Sequence, residues 1–203
     1  MKVLIAVPCM DQVPAQFCGS LALLRKVGEC TVAFKIGSLI YSARNDLARQ
    51  AIEAEADYML WLDSDMVFNA DLLERMLQSM DQNNADIITG VYFRRVEPYS
   101  PVLFTAEGST YSELTDIPPE PFEVGGCGFG AVLMKMDVMF DVIGKFGDPF
   151  TPTSGLGEDL SFCWRARECG YRIIADPSIP LGHVGYQMFT ALHWQAFKDR
   201  GAK

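Results

Sequence analysis

The run Asp57-Tyr58-Met59-Leu60-Trp61-Leu62-Asp63-Ser64-Asp65-Met66 decides how the rest of this chain is read. Five apolar residues, two of them aromatic, stop at two carboxylates with one serine between, which reads as a buried strand entering a polar segment. Parallel α/β sheets place their ligand sites just beyond the carboxyl ends of such strands. On an extended backbone, residues two apart share a face, so Asp63 and Asp65 are expected to aim into one crevice. Two anions repel there unless protons or a cation intervene, and a hard divalent metal meets that need. An acidic turn without any ligand explains the same residues, because Asp and Ser are ordinary turn formers.

Upstream, Lys2 to Val7 reads as an opening strand ending at Pro8, followed by a loop to Pro14. A helix is predicted over Ala15 to Lys26, stopped by Gly28. Thr31 to Ile36 forms the second strand, and Ser42 caps a helix carrying Arg44, Leu47, Ala48, Ala51 and Ile52 at helical spacing. Downstream lie a helix over Ala70 to Met80 and a strand over Asp86 to Tyr92. This alternation predicts an α/β fold with a mainly parallel, right-handed, doubly wound sheet.

The second half differs. Residues 97–121, rich in Pro, Ser, Thr and Glu, read as a loop-rich excursion over the site, poorly ordered without ligand. The glycines of Val124-Gly125-Gly126-Cys127-Gly128-Phe129-Gly130 fit neither the P-loop nor the dinucleotide fingerprint. They are expected to permit close backbone approach or a hinge. A strand from Ala131 to Met136 follows, then helices over Val138 to Lys145 and from Glu158 to Cys169. A strand over Tyr171 to Ala175 and a terminal helix over Gln187 to Lys198 complete the chain. Without a repeat or a long linker, residues 1–203 are expected to be a single domain.

At 203 residues the chain can bury one substantial core. Its formal charge of −9 and lack of a basic run make nucleic acid a poor partner. No apolar segment reaches membrane-spanning length, and the apolar start is too short for a signal sequence. The six cysteines are scattered without a CxxC pair and read as reduced thiols of a cytoplasmic protein.

Three features remain: Asp63-Ser64-Asp65, Glu158-Asp159 at a helix start, and His183 between glycines. Each has an ordinary structural explanation, the acids by complementing the helix macrodipole and the histidine as a loop residue. Their order resembles a glycosyltransferase of the GT-A fold, similar to family two. Ala43-Arg44-Asn45-Asp46-Leu47-Ala48 through Leu60 to Met66 resembles the helix and DxD strand of that superfamily. Gly125-Gly126 and Ala131 to Met134 resemble its acceptor-side loop and strand, and Gly157 to Tyr171 its (E/D)D helix. The resemblance implies a nucleotide-sugar donor, most often uridine diphosphate-linked, bound by residues 1–95, with an acceptor and catalytic half over 96–203. Asp65 and His183 would ligate a metal, with Asp63 contacting the ribose or a metal-bound water and Ser64 counted among the donor-binding residues. Mixed carboxylate and imidazole ligation suits Mn²⁺ better than Mg²⁺. Pro8, Asp11 and Arg44 are candidate base and ribose contacts, and Arg44, Arg94 or Arg95 could meet the diphosphate. Asp159 would be the general base of an inverting transfer, with Glu158 orienting the acceptor or the helix.

The implied acceptor is a glycan, a lipid-linked intermediate or a protein, and a homo-oligomer is compatible with the chain. A retaining transferase shares these residues. A sugar nucleotidyltransferase would carry a glycine-rich basic loop where Pro8-Cys9-Met10-Asp11-Gln12 stands. An aspartyl phosphatase would place DxD after the first strand, and a non-catalytic sugar-binding module would need no base.

Overall fold

The computed structural model describes residues 1–201 except Ser154, Tyr186 and Gln187. In chain order the elements are β1 (Lys2–Cys9), α1 (Ala15–Leu23), β2 (Glu29–Ile36), α2 (Ile40–Glu53), β3 (Tyr58–Leu62), β4 (Met66–Phe68), α3 (Leu72–Gln82) and β5 (Ile87–Val91). Then come β6 (Leu103–Glu107), β7 (Thr110–Glu113), β8 (Phe122–Glu123), β9 (Gly126–Cys127), β10 (Ala131–Lys135), α4 (Met136–Phe146), α5 (Glu158–Glu168), β11 (Ile173–Val184), β12 (Met188–Phe189) and α6 (Ala191–Gly201).

The main sheet runs β12-β11-β5-β10-β3-β1-β2, with β4 and β8 pairing β11 off that path. β1 lies parallel to β2 and β3, and β11 parallel to β5, as βαβ crossovers require. β10 enters antiparallel between β3 and β5, pairing Ala131 with Leu62. That insertion separates two strands that sequence order would make neighbours. It also delivers the glycine segment to the carboxyl end of β3.

The apolar run of β3 is buried because both sheet faces are covered. One core gathers Leu47, Ala48, Met59, Trp61, Phe129, Phe150 and Phe162; the other gathers Ile5, Phe17, Leu60, Leu62, Met76 and Leu133. Trp61 meets Phe150 edge-on at 4.9 Å, and Phe150 stacks on Phe162 at 4.6 Å.

The glycines serve close approach. A Cβ on Gly128 would stand 2.1 Å from the Tyr92 hydroxyl, and one on Gly130 would stand 2.8 Å from the Tyr92 ring. Gly128→Ala is therefore expected to cost about 1–3 kcal/mol by overpacking, measured as a lower thermal midpoint; an unchanged midpoint would show that Tyr92 moves freely.

Several boundaries differ from expectation. Residues 97–121 are not simply a loop: β6 and β7 form a hairpin, extended by β9 into a separate three-stranded sheet. The two hairpin strands pair within the segment and only β9 lies outside it; their largely exposed, polar residues concealed the pattern. The strand expected over 171–175 begins at Ile173 and continues to Val184, across Pro177 and Pro180, residues that cannot donate to a ladder. Asp176, buried, accepts the Ser178 N–H and the Ser79 hydroxyl at the bulge, after which β11 resumes pairing with β4. α1 stops at Leu23, and α2 begins at Ile40 rather than at a Ser42 cap, with no side-chain cap bond. The terminal helix begins at Ala191; its expected start at Gln187 lies outside the described residues. The cysteines are free, with Cys127 and Cys163 buried and Cys18 exposed. Among the described residues, no helix is long and apolar enough to cross a membrane.

Candidate active site

The carboxyl ends of β1 and β3, the start of α2, the Phe129 turn before β10 and the start of α5 enclose a cleft of about 340 Å³. Pro8, Arg44, Asp63, Ser64, Asp65, Glu158 and Asp159 all line it. Asp11 does not; it sits exposed on the loop after β1.

Asp63 and Asp65 share the cleft for a reason other than strand alternation. β3 ends at Leu62, and residues 63–66 form a tight turn closed by Met66 N–H donating to the Asp63 carbonyl at 3.1 Å. Asp63 N–H donates to the Gly130 carbonyl at 2.9 Å, fastening the turn to the incoming glycine segment. The two carboxylates then face different partners.

Asp63 Oδ1 accepts from Arg44 Nη2 at 2.9 Å, and Arg44 Nε lies 3.6 Å from Glu158 Oε1. Arg44 is 2 % exposed, with its guanidinium 5.0 Å from the Phe129 ring centroid and within 6 Å of Trp61 and Phe150. It is thus no solvated surface charge. Burial raises the Asp63 carboxyl to about 6 against the opposing pull of Arg44, with the Asp65, Asp159 and Glu158 charges adding to the rise.

Asp65 Oδ2 lies 3.4 Å from His183 Nε2. The long β11 brings His183 there: its register pairs His183 with Met66, and Val184 N–H donates to the Asp65 carbonyl at 2.7 Å. His183 Nδ1 sits 2.9 Å from the Phe93 carbonyl, which can only accept, so Nδ1 carries the proton. In the neutral ring, Nε2 then presents a lone pair to a carboxylate, an arrangement that calls for a proton or a cation between them. One carboxylate oxygen and one imidazole nitrogen held by a carbonyl partner fit a divalent metal. Among the described residues no third His, Cys, Asp or Glu completes a cage, so such an ion would draw its remaining ligands from a substrate and water. Burial raises the Asp65 carboxyl; the charge of a protonated His183, donating from Nε2, and that of Arg95 outweigh it and leave it below the usual range, so in the absence of a metal a proton is what bridges the pair.

Glu158 and Asp159 open α5 behind Gly157. Asp159 Oδ1 accepts the Leu160 N–H at 2.7 Å. Its position in a first helical turn does not make it more acidic. Burial and the Glu158 charge raise its carboxyl above the usual range, outweighing the Leu160 bond and Arg44.

The remaining candidates separate. Arg94 turns to Glu113 on β7 at 2.7 Å, whereas Arg95 reaches Asp65. Of the aromatic residues Phe122, Phe129, Trp164 and Tyr186, which could in principle stack on an acceptor sugar although ordinary packing explains each, Phe129 lines the cleft, Phe122 lies half-buried on β8 and Trp164 packs on Phe146; Tyr186 lies outside the described residues. Sequence reasoning missed Tyr92, which lines the cleft and meets His183 edge-on at 5.4 Å. Its place at the carboxyl end of the β5 segment was the available signal.

A mostly parallel central sheet flanked by helices, with a smaller antiparallel sheet beside it, is the architecture of the GT-A class of fold. Two solved structures show it. The crystal structure of A197 from STIV superposes with a TM-score of 0.63 at 19 % identity, covering 91 % of this chain and 86 % of that one. GalNAc-T7, crystallised with UDP, GalNAc and Mn²⁺, superposes with a TM-score of 0.62 at 11 % identity over 91 % of this chain; the match spans 43 % of its own length. No curated protein matches the sequence. The profile described as Glycosyl transferase family 2 matches residues 32–138, more than half of the chain. The chain belongs to that family and is a glycosyltransferase.

Proposed function

We propose that this enzyme moves one sugar from a nucleotide diphosphate sugar, uridine-linked, to an acceptor hydroxyl, with a divalent cation at Asp65 and His183 and inversion at the anomeric carbon. The observation that carries this reading is the 3.4 Å approach of Asp65 Oδ2 to a His183 nitrogen whose proton is turned away, at the mouth of a cleft that also holds Asp159. The Mn²⁺ and UDP of the GalNAc-T7 crystals support the same donor chemistry by analogy.

Bond accounting assigns the roles. The acceptor oxygen forms a bond to the anomeric carbon as that carbon's bond to the diphosphate oxygen breaks. The acceptor proton passes to Asp159, whose raised affinity for protons makes it a stronger base than an exposed carboxylate. A bound divalent cation, Mn²⁺ in preference to Mg²⁺, would offset the charge developing on the departing diphosphate. Arg44 holds Asp63 and Glu158 in place from beneath, leaving the outer face of Asp63 for ribose or a metal-bound water. Residues 1–95 supply the donor side and 96–203 the acceptor side. A glycan, a lipid-linked intermediate or a protein would provide the hydroxyl.

The test is a panel of nucleotide sugars with and without Mn²⁺, read by thermal shift and nucleotide release. Stabilisation by uridine-linked donors only with metal is expected, and Asp65→Ala should weaken that binding about 10- to 100-fold. Metal-dependent binding that survives intact in Asp65→Ala would discredit the ligand assignment, and a full panel without response would remove the donor class.

A further inference from the structure

Arg95 occupies the place where the cation's charge is needed. Its Nη1 donates to Asp65 Oδ2 at 2.8 Å and to the Val184 carbonyl at 2.9 Å. That oxygen is the one facing His183 Nε2. A divalent ion bonded to Oδ2 at about 2.0–2.2 Å would bring its two charges against a guanidinium already on the same atom. The two cations cannot share that atom at low cost. Arg95 is the weaker competitor, because its side chain is 44 % exposed and carries only partly solvated bonds.

We infer that Arg95 is a latch on the cation site. It holds the Asp65 carboxylate while no metal is bound, is displaced when the ion arrives, and then reaches the diphosphate that the ion carries. This inference rests on the donor and metal reading above. It separates Arg95 from its neighbour Arg94, which pairs with Glu113 on the hairpin and, among the described residues, makes no hydrogen bond or ion pair with Asp65 or Val184. Linkage follows: displacing the latch lowers metal affinity in the free enzyme, and its capture by the diphosphate raises the affinity of each ligand for the other. The arginine fork suits both partners, since carboxylate and phosphate oxygens present the same acceptor geometry.

The experiment titrates Mn²⁺ alone into the full chain, following loss of the free-ion signal by electron paramagnetic resonance, for the wild type, R95Q, R95K, R94Q and D65N. R95Q should bind Mn²⁺ about fivefold more tightly than wild type, R95K should fall between them, and R94Q should match wild type. With Mn²⁺ saturating, calorimetry should show UDP binding R95Q about tenfold more weakly, again with R94Q unchanged. Equal or weaker Mn²⁺ binding by R95Q overturns the latch. Equal tightening in R94Q also overturns it, because that result reports only a change in the overall field. D65N tells the two layers apart. If it loses the Mn²⁺ affinity seen in wild type, the metal reading stands whatever R95Q does. If wild type binds no better than D65N, the metal reading fails and the latch fails with it. Melting curves identify any variant that has not folded, and R95K then supplies the comparison.

Discussion

Asp159→Asn is expected to lower turnover by about 10²–10⁴-fold, the usual worth of a positioned general base, while leaving Mn²⁺ and UDP affinity unchanged. The amide keeps the side chain's shape and its acceptor oxygen for Leu160 N–H, but takes no proton from the acceptor. Wild-type kcat/KM should fall on the acid side as Asp159 protonates, with that limb above the usual carboxylate range because burial and Glu158 raise the group. The limb should be missing from the residual activity of the variant. Stability should move the other way. A carboxyl raised in the folded state keeps its proton longer there, so the native state loses stability as pH rises through that window. Asp159→Asn removes this penalty and should melt no lower than wild type at neutral pH. Undiminished turnover would take Asp159 out of the mechanism.

Arg44→Met should be the costliest single change to the fold of the site, about 3–5 kcal/mol for stranding buried charges and roughly 10 °C in thermal midpoint for a chain of this size. The guanidinium is buried, its side chain 3 % exposed, and it is the cation placed against both Asp63 and Glu158. Without it, Asp63, Glu158 and Asp159 face one another with their repulsion unrelieved. Lysine retains the charge but loses the fork that spans two carboxylates, so Arg44→Lys should fall between. The deficit should shrink at about pH 5, below the Asp63 value of about 6, because a protonated Asp63 no longer needs the guanidinium. Calorimetry at the two pH values checks this; a midpoint within a degree of wild type at neutral pH would mean the carboxylates have another partner.

Much of the architecture was legible because its signals are local. The Tyr58 to Leu62 run is apolar because both sheet faces bury it, and the α2 spacing follows from one face packing on β1 and β2. Most of what escaped depends on partners distant in sequence, and the rest on strands too polar to stand out. β10 inserts between β3 and β5 through backbone pairing that no periodicity announces. The β6–β7 hairpin sits in a polar segment, and β11 passes two prolines because a buried aspartate satisfies the bulge. At the site, motif order singled out Asp63, Asp65, Glu158, Asp159 and His183 as candidates, and the fold brings them near one cleft, but their pairings were not legible. Arg44, a candidate nucleotide contact, lines the cleft and is also paired with Asp63 and Glu158, and Tyr92 carried no motif.

The sequence by itself determined the inventory: a mainly parallel α/β sheet with acids after a central strand, an acidic helix start and a late histidine between glycines. Apolar periodicity and the chemistry of the side chains are properties of the chain alone. Only the tertiary structure decided which charge meets which. The Arg44–Asp63 and Asp65–His183 pairs join residues 19 and 118 positions apart. Such contacts are set by strand register and sheet order, which depend on hydrogen bonds between distant segments rather than on any local pattern.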